Sequence, residues 1–156
     1  MQEKFFTFSQ YMKNDTNIIS ASAEDYIEMI YRLSLKNGFT RVNELAISLN
    51  VQPPSVTKMV KKLSSLNLIK YEKYGVIILE EEGKYIGKLL LKRHNTIEDF
   101  LKLLDINDKV LEETEKMEHT ISNDVLSGIC KLLDFFESNP SLKEKLSKHI
   151  RSDIEE

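Results

Sequence analysis

The stretch VQPPSVTKMVKKL, residues 51–63, constrains this chain more than any other. Adjacent prolines cannot sit inside a helix but fit its first turn, so a helix must begin at about Pro54. It runs to about Leu66 with Val56, Met59, Val60 and Leu63 on one face, leaving Ser55, Thr57, Lys58, Lys61 and Lys62 largely outward. Upstream, Ser22-Ala23-Glu24-Asp25 reads as an N-cap followed by acids. Ile27, Ile30, Tyr31 and Ser34 then mark one face of a helix that Asn37-Gly38 ends. A short helix over about Val42–Leu49 turns Leu45 and Leu49 inward. After Asn67, LIKYEKYGVIIL is rich in β-branched and aromatic residues around Tyr74-Gly75, which predicts a two-stranded hairpin. Helix, short helix, turn, basic helix and hairpin together make a winged helix-turn-helix.

The chemistry of that pattern points to nucleic acid. The net charge is −3, but its distribution decides more than its sum. From Val56 to Gly75 the chain carries Lys58, Lys61, Lys62, Lys70 and Lys73 against the single acid Glu72, while acids predominate in the second half. Pro53, Pro54, Ser55 and Thr57 at the exposed helix start can approach base edges or phosphates, and Lys58, Lys61 and Lys62 can neutralise phosphates. Lys73 and Tyr74, near the tip of the wing, would lie against the adjacent backbone.

A chain of 156 residues, 41% hydrophobic and 30% charged, has the composition of an ordinary folded protein. Cys130 is the only cysteine, so there is no internal disulfide framework and a reducing cytoplasm is expected. The opening MQEKFFTFSQYMKNDTN interrupts any apolar run with charge, and no stretch reaches the length of a membrane span, so neither export nor a membrane partner is expected. Phe5, Phe8 and Met12 can form one helical face, or the segment can be a free arm.

A long helix is predicted from about Glu81 to Leu104, with Ile86, Leu90, Arg93, Ile97, Phe100, Leu101 and Leu104 on a near-heptad stripe. Asp105-Ile106-Asn107-Asp108 marks a break and a new N-cap. Ser122-Asn123-Asp124 caps a further helix whose stripe of Val125, Ile129, Leu132, Leu133 and Phe136 exceeds what one helical hairpin hides. That stripe is expected to be a dimer surface, with core packing in the monomer as the competing reading. A last helix after Pro140 shows Leu142, Leu146, Ile150 and Ile154 at helical spacing. The expected organisation is an extension over residues 1–21, a winged helix-turn-helix over 22–80, and an all-helical domain over 81–156; the fold class is mainly α.

Between the two capped helices lies EKMEHT, which places Glu115, Glu118 and His119 on one helical face. Asp25 and Glu28 stand at i and i+3 on the first helix, opposite its apolar residues, where Arg32 offers Glu28 an ordinary ion pair. His94 lies on the long helix with Glu98 one turn on. Asp25, Glu28, His94, Glu115, Glu118 and His119 together provide four carboxylates and two imidazoles, a set suited to Mn2+ or Fe2+ and, lacking thiolates, unsuited to a structural zinc cage. Taken alone, each acidic group reads first as a solvated helix face, and His94 as a hydrogen-bonded group on the helix surface.

SAEDYIEMIYRL, VQPPSVTKMVKKL, YEKYG, KRHNTIEDFL and ETEKMEHTIS, in this order over about residues 22–138, resemble the iron-dependent (diphtheria toxin repressor) family, specifically its manganese transport regulator branch. The resemblance implies a homodimeric, metal-activated transcriptional repressor of metal uptake genes, acting on a double-stranded, palindromic operator. It implies Asp25, Glu28, His94, Glu115, Glu118 and His119 as ligands of a two-metal centre bridged by Glu28 and Glu118. Where iron-type members have methionine and cysteine, this chain has Asp25 and Glu115, the hard donors of the manganese branch. Mn2+ is therefore expected at two per subunit, with Fe2+, Co2+, Zn2+ or Cd2+ as substitutes. The wing is a residue shorter than the usual one and is followed by Glu80-Glu81-Glu82 where the pattern often has small or basic residues.

Two other functions compete. A metallohydrolase would need an open metal with a general base, and no HExxH-type motif is present, so no enzyme is expected. A metal-independent winged-helix regulator sensing another ligand or a protein partner would leave all six donors as solvated surface.

Overall fold

The computed structural model describes residues 19–152. The extension with Phe5, Phe8 and Met12, and Ile154 at the other end, lie outside the described residues. The chain divides into two compact units whose boundary falls after Leu91, within one long helix.

In the first unit, helix α1 (Ala21–Asn37) starts from Ser20, whose Oγ accepts the Ala23 N–H at 3.3 Å, two residues ahead of the expected cap. Ser22 therefore lies inside the first turn. The helix ends at Gly38, whose φ of 80° is the left-handed conformation glycine adopts without penalty and whose N–H reaches the Ser34 carbonyl at 2.8 Å. Strand β1 (Thr40–Arg41) leads into α2 (Val42–Leu49), and the turn through Asn50 delivers α3 (Pro53–Ser65) with both prolines in its first turn. Ile27 and Ile30 of α1, Leu45 of α2 and Val56, Val60 and Leu63 of α3 are fully buried. Each such aliphatic side chain contributes about 1.5–3 kcal/mol by leaving water. That apolar stripe turns the lysines of α3 outward.

Strands β2 (Ile69–Tyr71) and β3 (Val76–Leu79) form the expected hairpin, pairing Ile69 with Leu79 and Tyr71 with Ile77. A tight turn over Lys73–Gly75 joins them. Strand β1 adds a third member, antiparallel to β3, in the order β1-β3-β2. Two residues carry no readable period, so the sequence does not mark it.

Helix α4 (Glu81–Leu103) begins against this unit through two glycines. A Cβ on Gly83 would stand 2.1 Å from the Leu68 carbonyl oxygen, and one on Gly87 would stand 2.5 Å from Tyr31 Cβ. The rest of α4, from Lys92, belongs to the second unit with α5 (Val110–Glu118), α6 (Asn123–Ser138) and α7 (Pro140–Ser152). Ile97, Leu101 and Leu126 centre its core, with Phe100, Val110, Met117 and Ile121 packed around them.

The break after α4 differs from expectation. Lys109, rather than an Asp or Asn, occupies the N-cap position of α5 and makes no side-chain cap. The Asn107 amide instead donates to Asp105 Oδ1 at 3.0 Å, closing the turn on itself. Ser122 caps α6 as expected, accepting the Val125 N–H at 3.3 Å.

Candidate metal centre and nucleic-acid interface

His94 shares a face of α4 with Ile97 and Leu101, so the stripe that builds the second unit's core also buries the imidazole, leaving it 4% exposed. Nδ1 lies 2.9 Å from Glu118 Oε2, and Nε2 lies 3.4 Å from Glu98 Oε2. Glu118 is the last residue of α5 and is 8% exposed, while His119, at the C-cap, brings Nε2 to 3.9 Å from Glu118 Oε1. His94, Glu118 and His119 therefore converge within one unit. Glu115, one turn earlier, is exposed and is not drawn into this group. Beside it, Lys116 pairs with Glu112 at 2.6 Å and Glu113 at 3.0 Å, and these hydrogen bonds hold its ammonium above the usual lysine range.

Two neighbours hold this arrangement in place. Glu98 contacts the second ring nitrogen of His94 and is itself bound by Lys102, whose hydrogen bond, more than the imidazole, keeps the Glu98 carboxyl below its ordinary range. Arg93 falls in the apolar stripe of α4 by spacing, yet its Nη2 donates to the Ile121 carbonyl at 3.0 Å, just past His119. Spacing alone does not reveal that role, because the acceptor is a backbone group 28 residues away.

In the first unit, Glu28 is also 8% exposed, and Arg32 Nη2 donates to its Oε1 at 2.5 Å, the i, i+4 pair expected from sequence. Its burial departs from the solvated face that the spacing suggested. Asp25, one turn earlier, is half-buried. Ionised carboxylates are buried only when partnered, and among the described residues the buried acids are Glu28, paired with Arg32, and Glu118, paired with His94.

The basic helix and the wing expose most of the polar residues singled out in the sequence. Pro53, Pro54, Ser55, Lys58, Lys61 and Lys62 are exposed along one side of α3, and Lys73 and Tyr74 stand at the wing tip, with Tyr74 91% exposed. Thr57 is half-buried and returns its hydroxyl proton to the Pro53 carbonyl at 3.1 Å, so it contributes less than the bare pattern suggested. The acidic run behind the wing is partly countered: Glu80 lies 3.9 Å from Lys70, and Glu81 lies 2.7 Å from Lys84.

On α6, Val125 is 51% exposed and Leu132 is also exposed, whereas Ile129 is buried and Leu133 and Phe136 are half-buried. Phe135, 50% exposed and packed edge-to-face on Phe136 at 5.4 Å, extends the apolar surface beyond the residues singled out from spacing.

A winged helix with a basic outer helix, joined to a helical unit containing a buried carboxylate–imidazole group, defines a DNA-binding regulator with a candidate metal centre. The chain belongs to the iron dependent repressor family: residues 19–77 match its N-terminal DNA binding domain and residues 80–147 its metal binding and dimerisation domain. It is 41% identical over 126 residues to the HTH-type transcriptional regulator MntR of Bacillus velezensis, covering 80% of this chain and 89% of that one. The MntR of Bacillus subtilis (strain 168) is 40% identical over the same length and coverage. Among solved structures, IdeR of T. acidophilum superposes with a TM-score of 0.66 at 26% identity, over 75% of this chain and 56% of that chain. The manganese regulator SloR gives 0.63 at 31% identity, over 72% and 54%. The chain thus spans little more than half the length of these two solved proteins. It is a metal-dependent, DNA-binding transcriptional regulator and not an enzyme. Among the described residues, no helix is long and apolar enough to cross a membrane.

Proposed function

We propose that this protein is a manganese-responsive repressor of metal uptake genes that binds a palindromic operator as a cytoplasmic homodimer. Residues 22–80 form its DNA-binding domain, residues 81–156 its metal-binding and dimerisation domain, and residues 1–21 an extension. The observation that carries the metal reading is the buried His94–Glu118 contact with His119 beside it. An imidazole and a carboxylate held together away from water form a hard N/O donor set that fits a divalent cation of the Mn2+ or Fe2+ type.

Asp25, Glu28, His94, Glu115, Glu118 and His119 are the proposed ligands of two Mn2+ ions per subunit, with Glu28 and Glu118 bridging. Fe2+, Co2+, Zn2+ or Cd2+ are possible substitutes. When bound, the cations supply the positive charge on which these carboxylates can converge. Without them, like charges oppose convergence. Glu98 holds the outer ring nitrogen of His94 and so fixes its orientation.

The consequence for DNA follows from linkage. Asp25 and Glu28 belong to α1 of the winged helix, and the other four ligands to α4 and α5. Joint ligation restrains the winged helix against the dimerising part and lowers the ordering cost of presenting two α3 helices to successive major grooves. The dimer surface is proposed at Val125, Ile129, Leu132, Leu133 and Phe136 of α6. DNA contacts are proposed at Pro53, Pro54, Ser55, Thr57, Lys58, Lys61 and Lys62 of α3, and at Lys73 and Tyr74 of the wing.

The test is fluorescence anisotropy of labelled promoter fragments from the source genome, with Mn2+ and with chelator, at fixed salt because phosphate contacts make affinity salt-dependent. Tight binding only with Mn2+ is expected. Equal affinity in both conditions would discard the metal switch and leave a metal-independent winged-helix regulator.

A further inference from the structure

Arg41 draws together separate parts of the wing. Its backbone pairs with Val76 in the β1–β3 ladder, and its N–H donates to Glu44 Oε2 at 3.2 Å, an oxygen that also accepts the Thr40 hydroxyl at 2.8 Å. Its side chain reaches the wing tip, where Nη1 donates to the Tyr74 carbonyl at 3.1 Å, and the guanidinium lies 5.8 Å from the Phe39 ring centroid. The carbonyl it holds belongs to a turn with two successive left-handed residues, Tyr74 at φ 61° and Gly75 at φ 71°. Glycine adopts that region freely, but tyrosine does not, so contacts rather than local preference must maintain the turn.

We propose that Arg41 is a positioning residue for DNA recognition, clamping the Tyr74 carbonyl so that the wing presents Lys73 and Tyr74 in a fixed conformation before DNA arrives. The proposal rests on the reading that the wing meets DNA. A hairpin with strands of three and four residues is marginal on its own, and a turn left to sample other conformations would have to be ordered during binding. The planar guanidinium suits the position because it donates to the carbonyl while lying near the Phe39 ring, a combination an ammonium cannot reproduce. No pattern in the sequence marks Arg41, since its role depends on the β1–β3 pairing.

The experiment is a double-mutant cycle on the full-length, metal-loaded protein, reading DNA affinity by anisotropy for Arg41→Ala, Lys73→Ala and the pair, with Arg41→Lys and Tyr74→Ala alongside. Arg41→Ala is expected to weaken binding by about 3- to 10-fold, the scale of ordering a freed wing tip as DNA binds. Arg41→Lys should recover part of that, and the loss should shrink when Lys73 is already absent. Metal stoichiometry should not change, and Tm should fall only slightly, as for any exposed hydrogen bond lost from the native state. If Arg41→Ala is neutral while Lys73→Ala weakens binding, or if the two losses simply add, the positioning role is overturned and the wing contact stands. If Lys73→Ala and Tyr74→Ala are both neutral, the wing reading fails and this inference with it.

Discussion

His94 and Glu118 are separated by 24 residues and meet at 2.9 Å between Nδ1 and Oε2, both side chains buried. Removing one partner leaves the other a buried polar group without its contact, a loss of about 1–3 kcal/mol. Glu118→Ala is therefore expected to lower the metal-free Tm by on the order of 5 °C while leaving a folded dimer. The sharper readout is metal linkage. If Mn2+ is the ligand, each site filled at about 100 times its dissociation constant would stabilise the native protein by about 2.7 kcal/mol. Scanning fluorimetry with and without Mn2+ should show that rise in the wild type and none in Glu118→Ala; an unchanged rise would remove Glu118 from the site.

Gly83 and Gly87 set how closely the start of α4 approaches the winged helix. At Gly83 the obstacle to a side chain is the backbone carbonyl of Leu68, and at Gly87 it is the Cβ of Tyr31, neither of which can rotate away. Gly87→Ala is expected to destabilise by about 1–3 kcal/mol despite alanine's better helix propensity, and Gly83→Ala by at least as much. Urea denaturation checks this. A gain in stability for either variant would mean that the helix shifts without penalty.

The parts of this fold that were legible in sequence are those with local punctuation. Pro53-Pro54 starts α3, Gly38 ends α1, Ser122 caps α6, and the period of Val56, Val60 and Leu63 turns the lysines outward. Features decided by distant partners were not legible. The burial of Glu28 does not follow from its place off the apolar stripe of α1, because a helix's own periodicity says nothing of what other elements cover it. Arg93 reads as an oddity in an apolar stripe until Ile121 is brought to it, and β1 is too short to show a period. Five of the six proposed ligands are ordinary surface residues by spacing alone, and His94, on the apolar stripe of α4, is as readily a histidine of the core. Only their ordered set, through its family resemblance, singles them out.

Arg151, near the end of α7, reaches back to Asp105 in the turn after α4, with Nε 3.1 Å from Oδ2. That hydrogen bond is the main cause holding the Asp105 carboxyl below its ordinary range, with the Arg151 charge and Asn107 adding to it. A depressed carboxyl favours the native state above the ordinary carboxylate range and loses that contribution as pH falls through the depressed value. Arg151→Ala should therefore lower Tm slightly at neutral pH, and the difference from wild type should vanish in acid. Parallel melts from about pH 7 down to about pH 3 test the sign, since the difference begins to shrink as the pH nears the ordinary Asp value and is gone only below the depressed one. A difference that grows in acid would contradict it.

Lys58, Lys61 and Lys62 lie exposed on α3 and are proposed to meet phosphates rather than bases. The distinction is measurable because a lysine that neutralises a phosphate releases a counterion from DNA, making the affinity salt-dependent whatever the sequence. Each lysine-to-alanine change removes that lysine from both subunits of the dimer and should reduce the slope of log K against log salt by about 1.8, about 0.9 for each phosphate fully neutralised. It should weaken operator and unrelated DNA alike. Ser55→Ala, at the exposed start of the helix, should leave the slope unchanged and narrow the gap between operator and competitor DNA if its hydroxyl reads a base edge. Affinities measured with Mn2+ at several salt concentrations on both DNAs separate the two roles. A lysine variant that changes operator preference but not the slope would move that residue from backbone positioning to base readout, and would require α3 to enter the groove rotated from the orientation its apolar stripe dictates.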